Sequence, residues 1–447
     1  SCALCGLAFS QTTVVVGDQP VTVAQTMQND ASLSDVAFVD RSTGWAVGDR
    51  GVIWHTVDGG QSWKQQQSGV AVRLASVTFV DARHGWIAGG ETQPLSNASR
   101  GDLLTTSDGG ATWRALEDTK LPAIRQLRYF DAEHGIATGN SRALYPSGVF
   151  VTQDGGKNWQ PLPTDATGNW LAADFPDARS GAVAGAGGRF ATLMRRRVVN
   201  SPTAVDGLRA YRAMCLLPPT DGWLVGDGGL IMSTSDLGAS WQTPTGEVPE
   251  AVRENFDFQA VAAAGTQIWI AGSPGTRILR SSDGGHSWKL VPTGQNAPLR
   301  AIQFVDADTG FAVGELGTIL GTVDGGRSWQ VQRRGGARAA MLVARANDGR
   351  AAARLQNYLV RQLRTWRPDV VVTHLVAQPE TYPLGSLDEQ FVQQALAAAA
   401  DPNQHIDLSD EIGLTPWQVK KVYGVLPAGW RGEERRWRGS GARRNTG

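Results

Sequence analysis

Cysteine is scarce in this chain of 447 residues, which holds only Cys2, Cys5 and Cys215. Three thiols, two of them at the extreme N-terminus, give no disulfide framework. An excess of either charge is missing too, since 42 Lys and Arg balance 42 Asp and Glu. No bulk electrostatic attraction to nucleic acid follows. Histidine is sparse and scattered: His55, His84, His134, His286, His374 and His405 stand at no metal-ligand spacing, so no metal or cofactor is implied. Past the N-terminus no apolar run is long enough to cross a bilayer. Glycine and tryptophan are abundant, at 54 and 16 residues, and that pair favours an all-β repeat protein over a helical one.

The abundance is periodic. Gly44 to Trp63 reads GWAVGDRGVIWHTVDGGQSW, and the chain repeats it up to about residue 336. The first half, Gly-aromatic-x-x-Gly, returns around Gly89, Gly139, Gly185, Gly226, Gly272 and Gly314 at intervals of 41 to 50 residues, making seven copies. The second half, Ser/Thr-x-Asp-x-Gly-x-x-Trp, occurs six times. Its Asp and Trp fall at Asp58 and Trp63, Asp108 and Trp113, Asp154 and Trp159, Asp236 and Trp241, Asp283 and Trp288, and Asp324 and Trp329. A period of this length with short strands and glycine turns predicts a mainly β fold, a seven-bladed β-propeller over 11–336.

Each unit reads as one blade. Leu33 to Val39 alternates as an inner strand should, Gly44 to Gly48 is a second strand, and Val52 to Thr56 a third. The Asp-Gly-Gly turn needs positive φ, which glycine supplies, and its carboxylate can accept the N–H groups that a tight turn leaves unpaired. The closing Trp begins the outer strand and can bury about 200 Å² between blades. The twelve Asp and Trp positions are therefore predicted to be structural.

The second-half units resemble the Asp-box (bacterial neuraminidase) repeat. The run FVDxxxGWAVG, then GxI and TxDGGxSW, at Phe38 to Trp63 and again at Phe304 to Trp329, is similar to the photosystem II stability/assembly factor-like propellers over roughly residues 30 to 335. That resemblance implies a non-enzymatic scaffold, monomeric, that binds a protein partner such as an unassembled membrane-protein subunit in a lumen or periplasm. Export agrees with the first residues. Ser1 to Ser10, SCALCGLAFS, are small and apolar, and Ala8-Phe9-Ser10 before Gln11 fits a signal-peptide cleavage site. A redox or lipid-anchoring role for Cys2 and Cys5 is the alternative. Two strand-like runs follow between Thr12 and Met27, and whether they close the ring is open.

Blade four departs from the repeat. Gly181 to Gly185 is present, yet the Asp-box is replaced by FATLMRRR, Phe190 to Arg197. Arg195, Arg196 and Arg197, with Arg189, Arg209 and Arg212 nearby, are the densest basic stretch of the propeller and the candidate partner-binding residues, able to dock carboxylates bidentately. A degenerate blade with a solvated arginine strand is the plain alternative. Blades two and three carry insertions at Glu91 to Arg100 and Ser141 to Ser147 between their second and third strands, placing both loops on one rim.

An enzyme is the second hypothesis. A sialidase needs three convergent arginines, a Tyr nucleophile and acidic partners, and the propeller offers only Tyr129, Tyr145 and Tyr211. Asp49, Asp227 and Glu315 follow the second-strand glycines and could pair across a cleft as glycosidase carboxylates, though equivalent repeat positions point to a shared structural role. Trp54 and Trp170 lie off the repeat and could stack on sugars. No catalytic residue is assigned; an arginine and carboxylate cluster at the axis would speak for this second hypothesis.

From about Ala337 the texture becomes helical. Leu355, Leu359 and Leu363 mark an amphipathic helix, Val370 to His374 a buried parallel strand, Leu387 to Ala400 a second helix, and Thr415-Pro416 the start of a third. This arrangement around RPDVVVTH resembles part of the N-acetylglucosaminyl-phosphatidylinositol deacetylase-like family, without that family's His-Pro-Asp-Asp run or its later histidine pair. A partial, degenerate α/β domain over 337–430 is expected, with a zinc deacetylase as the third hypothesis. Residues 431–447, rich in arginine, read as a disordered basic tail.

Overall fold

The computed structural model describes residues 28–334 apart from breaks at 93–98, 118, 142–144, 165–167, 186, 202–208, 250–251, 253–255 and 296. Outside them it describes 13–16, 19–22 and parts of 356–425; the proposed signal segment, Cys2, Cys5 and the basic tail lie outside the described residues. Two compact units result, one spanning Gln28–Gly335 and one made of Ser1–Met27 with Gly336–Gly447.

The first unit is a seven-bladed β-propeller, six blades of four antiparallel strands and a fifth blade of three. The innermost strands are Leu33–Phe38, Leu74–Phe79, Ile124–Tyr129, Trp170–Asp174, Tyr211–Leu217, Asp257–Ala264 and Leu299–Phe304. In blade five the outer strand is reduced to a bridge between Ser233 and Gln242. The Gly-x-x-x-Gly segments are second strands, Gly44–Gly48 for example, and are buried throughout. Their closing glycine has a direct cause: a Cβ on Gly48 would run into the carbonyl oxygen of Ser32. The insertion in blade two is an extension of its hairpin, whose strands stay in register out to Thr92 opposite Ser99.

Each Asp-box is a closed ring of hydrogen bonds. In blade one the Thr56 hydroxyl donates to Asp58 Oδ1 at 2.8 Å and accepts from the Gly60 N–H at 2.9 Å. The Ser62 N–H and hydroxyl donate to the two carboxylate oxygens at 2.9 and 2.6 Å. The same set recurs at Asp108, Asp154, Asp236, Asp283 and Asp324, with Thr112 and Asn158 standing for the serine in blades two and three. Gly59 and Gly60 lie at φ of 69° and 85°, the left-handed region where side chains are strained.

Blades are joined by aromatics. The second-strand ring of one blade stacks on the first-strand ring of the next: Trp45 on Phe79 at 3.6 Å, Trp86 on Tyr129 at 3.9 Å, Trp269 on Phe304 at 3.5 Å. The indole N–H then donates to the next blade's Asp-box, Trp45 to the Gly109 carbonyl, Trp86 to Gly155 and Trp269 to Gly325. Asp-box tryptophans close the sandwich edge-on, as Trp113 does on Phe79 at 88°.

Ring closure uses the same contact. Blades one and seven each own their four strands, so among the described residues no strand crosses the seam. Phe311 stacks on Phe38 at 3.6 Å, the Gln303 side chain accepts from the Phe38 N–H at 2.7 Å, and Arg41 pairs with Asp306. Thr13–Val16 and Gln19–Thr22 instead pair with each other. The compact unit that holds the blades spans Gln28–Gly335.

In the second unit Val370–His374 pairs in parallel with Lys421–Val425, and one helix, Pro383–Ala400, is described in full. Arg364 is buried against that helix's C-terminal end and donates to the carbonyls of Ala398, Ala399, Asp401, Gln404 and His405. Two expectations change here. Val370 is 45 % exposed, so the strand is not buried on both faces. The helix expected at Thr415 does not form: the Lys420 and Lys421 N–H groups both donate to the Asp369 carbonyl and lead the chain into the sheet.

Candidate partner-binding site: an arginine ring on the loop rim

All seven innermost strands carry a β-bulge near their start, after the first paired residue in six blades and the second in blade six: between Leu33 and Asp35, Leu74 and Ser76, Ile124 and Gln126, Trp170 and Ala172, Tyr211 and Ala213, Phe258 and Ala260, and Leu299 and Ala301. A bulge re-aims the extra side chain away from the sheet face. The extra residue is an arginine in three blades, Arg125, Arg212 and Arg300, and Arg73 directly precedes the strand of blade two. These positions share the rim that carries the loops between second and third strands.

The four guanidinium groups feel one another. Desolvation by crowding protein atoms, then the like charges of Arg73 and Arg212, lower the pKa of Arg125, although its surface is open to solvent; desolvation and Arg300 lower that of the equally open Arg73, against the pull of Asp49. Carboxylates compensate three of them. Asp227 takes Arg212 bidentately at 2.8 and 2.9 Å, Glu315 takes Arg300 at 2.9 Å, and Asp49 lies 3.6 Å from Arg73. The shared repeat position of Asp49, Asp227 and Glu315 therefore has a shared use, neutralising this rim. Arg125 is exposed and has no ion pair among the described residues. Further along the same strand Arg128 acts on Asp35, Asp174 and Cys215 of blades one, four and five. Burial pushes the Cys215 thiol up to about 12, leaving it unreactive.

The six arginines read from the sequence do not stand together. The strand Phe190–Met194 separates Arg189, at its inner-loop end, from Arg195, Arg196 and Arg197 at the opposite rim, about 17 Å away at strand rise. Arg209 and Arg212 belong to the rim of the ring. The signal for the ring was present in the sequence, at the bulge of three inner strands and just before a fourth, but no helix or strand period marks a bulge.

An arginine and carboxylate cluster does gather at the axis, a point on which the structure differs from the sequence reading. It does not assemble the sialidase set. Tyr211 is buried beside Phe190 and Trp241, Tyr129 is buried beneath Trp86, and Tyr145 packs on Phe150. The two tryptophans considered for sugar stacking are also committed: Trp170 is 1 % exposed and donates to the Ser147 carbonyl, while Arg333 covers Trp54 at 3.8 Å. Among the described residues no three His, Cys, Asp or Glu side chains could hold a metal ion, and no helix is long and apolar enough to cross a membrane.

The comparisons agree with this geometry. The family model described as photosynthesis system II assembly factor YCF48 matches residues 19–199 and 210–350. A photosystem II assembly lipoprotein Ycf48 of Synechococcus sp. (strain CC9902) is 30 % identical over 306 residues, 66 % of this chain and 86 % of its own length. The Thermosynechococcus vestitus photosystem II assembly protein Ycf48 is 29 % identical over 300 residues, 65 % of this chain and 81 % of its own. A solved structure of YCF48 bound to a D1 peptide superposes with a TM-score of 0.53 at 26 % identity, covering 66 % of this chain and 94 % of its own. A glycoside hydrolase of Niastella koreensis shares the fold at 13 % identity and a TM-score of 0.52, over 68 % of this chain and 54 % of its own. Seven blades, six of them with an Asp-box, a rim of arginines and a family match over most of the chain lead to one conclusion: this protein belongs to the photosystem II assembly factor YCF48 family.

Proposed function

We propose that the chain is an exported, monomeric, non-catalytic scaffold that captures a carboxylate-bearing segment of a membrane-protein subunit at the arginine ring. The observation that carries this is Arg125, an exposed guanidinium on the same rim as Arg73 and Arg212, whose like charges act on it, with no carboxylate partner among the described residues. A partner carboxylate there relieves like-charge repulsion and gains charge-assisted hydrogen bonds. The D1 peptide bound by a 26 % identical relative supports a peptide ligand, and the lipoprotein names of relatives support export.

The test is calorimetric titration of a D1 peptide and of the same peptide with its carboxylates amidated. The Arg125→Ala, Arg212→Ala double variant is expected to weaken the acidic peptide about a hundredfold, with a shallower salt dependence, and to leave the amidated one unchanged. Unaltered affinity in that variant would remove the ring from the binding site. Replacing Arg195, Arg196 and Arg197 by Ala on the opposite rim then shows whether the blade-four arginines make the contact.

A further inference from the structure

The junction between blades three and four is built unlike its neighbours. At the second-strand position where Trp45 and Trp86 stand, blade three has Ile136, and the blade-four Asp-box that would receive an indole N–H is absent. In its place Met194 and Arg197 pair across a two-residue turn, Arg195 and Arg196, both at positive φ. The missing indole leaves a cavity of about 220 Å³. Among its lining residues the buried Ile136 and Leu162 with half-buried Val151 form the floor, and the exposed Arg179, Arg196 and Gln153 with half-buried His134 form the mouth.

The polar groups at the mouth are fixed. His134 Nδ1 is engaged by Asp131 at 2.9 Å. With the Gln153 amide turned so that its oxygen faces Arg196, that oxygen accepts from both terminal nitrogens of the guanidinium at 2.9 and 3.0 Å. Asp177, the acidic group beside Arg179, is committed to the Arg179 and Ser180 N–H groups at 2.6 and 2.9 Å and to the Ser180 hydroxyl at 2.6 Å. An apolar floor under two guanidinium groups is complementary to a molecule with an apolar body and one carboxylate. The space holds a single residue or an organic acid of that size, smaller than an ordinary cofactor pocket.

We infer that this cavity is a second binding site, on the face opposite the arginine ring, for an apolar carboxylate: the C-terminal residue of a peptide or a free aromatic acid. It is independent of the ring, and it exists because one blade lost its aromatic and the next lost its Asp-box.

The experiment is ligand-observed NMR on the full chain with phenylacetate, phenylacetamide, and an N-acetylated tetrapeptide ending in phenylalanine as acid and as C-terminal amide. Both acids, or one of them, are expected to bind and the amides to bind at least about tenfold more weakly. Tighter binding of the tetrapeptide acid identifies a chain terminus as the ligand, and tighter phenylacetate a free acid. Arg196→Asn, which keeps a residue suited to positive φ, should weaken the acid about tenfold. Ile136→Trp restores the repeat's indole, fills the cavity and should abolish binding with the arginines intact; its circular dichroism and melting curve check folding. Arg125→Ala should leave binding unchanged, separating this site from the ring. Equal binding of acid and amide, binding that survives in folded Ile136→Trp, or no binding of any probe at millimolar concentration overturns the proposal.

Discussion

Asp35 and Asp58 belong to one blade and titrate in opposite directions. Asp35, between inner strands, is pushed by burial up to about 6, although the Val77 and Val36 N–H groups, the Ser76 hydroxyl and Arg128 pull it down. Its folded pKa exceeds the unfolded value of 3.8, so the folded state holds the extra proton and stability falls as pH rises from about 4 through 6. Asp35→Asn should flatten that limb; urea midpoints at pH 4.5 and 7.5 are expected to show the variant gaining about 1 to 3 kcal/mol on the wild type between them. Asp58 is the reverse, held down at about 2 by the Ser62 hydroxyl, the Ser62 N–H and the Thr56 hydroxyl. Its contribution is present above pH 3.8 and lost as pH falls through 2, and the five sister carboxylates are lowered likewise. Acid unfolding followed by tryptophan fluorescence should begin below about pH 4, and Asp58→Asn should blunt its onset.

The elements show what the repeat secures and where it is abandoned. Trp45 is fully buried, stacked on Phe79 and His55, and tied to the next blade through its indole N–H. Trp45→Ala should cost about 3 to 5 kcal/mol in chemical denaturation, and Trp45→Phe, which keeps the stack and loses the 3.3 Å hydrogen bond, much less. The blade-four hairpin is the strained counterpart. Arg195 and Arg196 sit at φ of 51° and 62°, where the Asp-boxes place glycine at every turn position but Leu237 of blade five. Arg195→Asn with Arg196→Gly should stabilise the propeller by about 1 kcal/mol, measured by the shift in urea midpoint. The absence of a gain would show that the turn relaxes differently in solution.

For the whole molecule, closure decides whether the ring stands alone. Every contact named at the seam comes from within Gln28–Gly335, and the Phe311 to Phe38 stack repeats the interior junctions. That fragment should therefore unfold in one cooperative transition, and Phe311→Ala should cost as much as Phe79→Ala at an interior junction, about 3 to 5 kcal/mol. Arg41→Ala should cost under about 1 kcal/mol, because the Arg41 side chain is 68 % exposed in its pair with Asp306. Calorimetry of the fragment and the two phenylalanine variants measures all of this. A broad or two-step transition would mean that closure needs sequence from outside the seam.

The sequence by itself determined the blades. Gly44 to Trp63 states in one copy the strand period, the positive-φ turn and the interblade tryptophan, and six Asp-boxes left seven sectors about one axis as the arrangement that buries them all. Local pattern could reach that far because each of those requirements is met within one repeat or its neighbour. The arginine rim was decided only by tertiary structure. Arg73, Arg125, Arg212 and Arg300 are up to 227 residues apart, counting from Arg73 to Arg300, and share a rim because three of them fill the bulges of equivalent inner strands and Arg73 directly precedes another such strand. Arg189 and Arg195 show the converse: six residues apart, they are separated by a strand that carries them to opposite rims. Proximity along the chain and proximity about a closed axis are different quantities, and charge acts through the second.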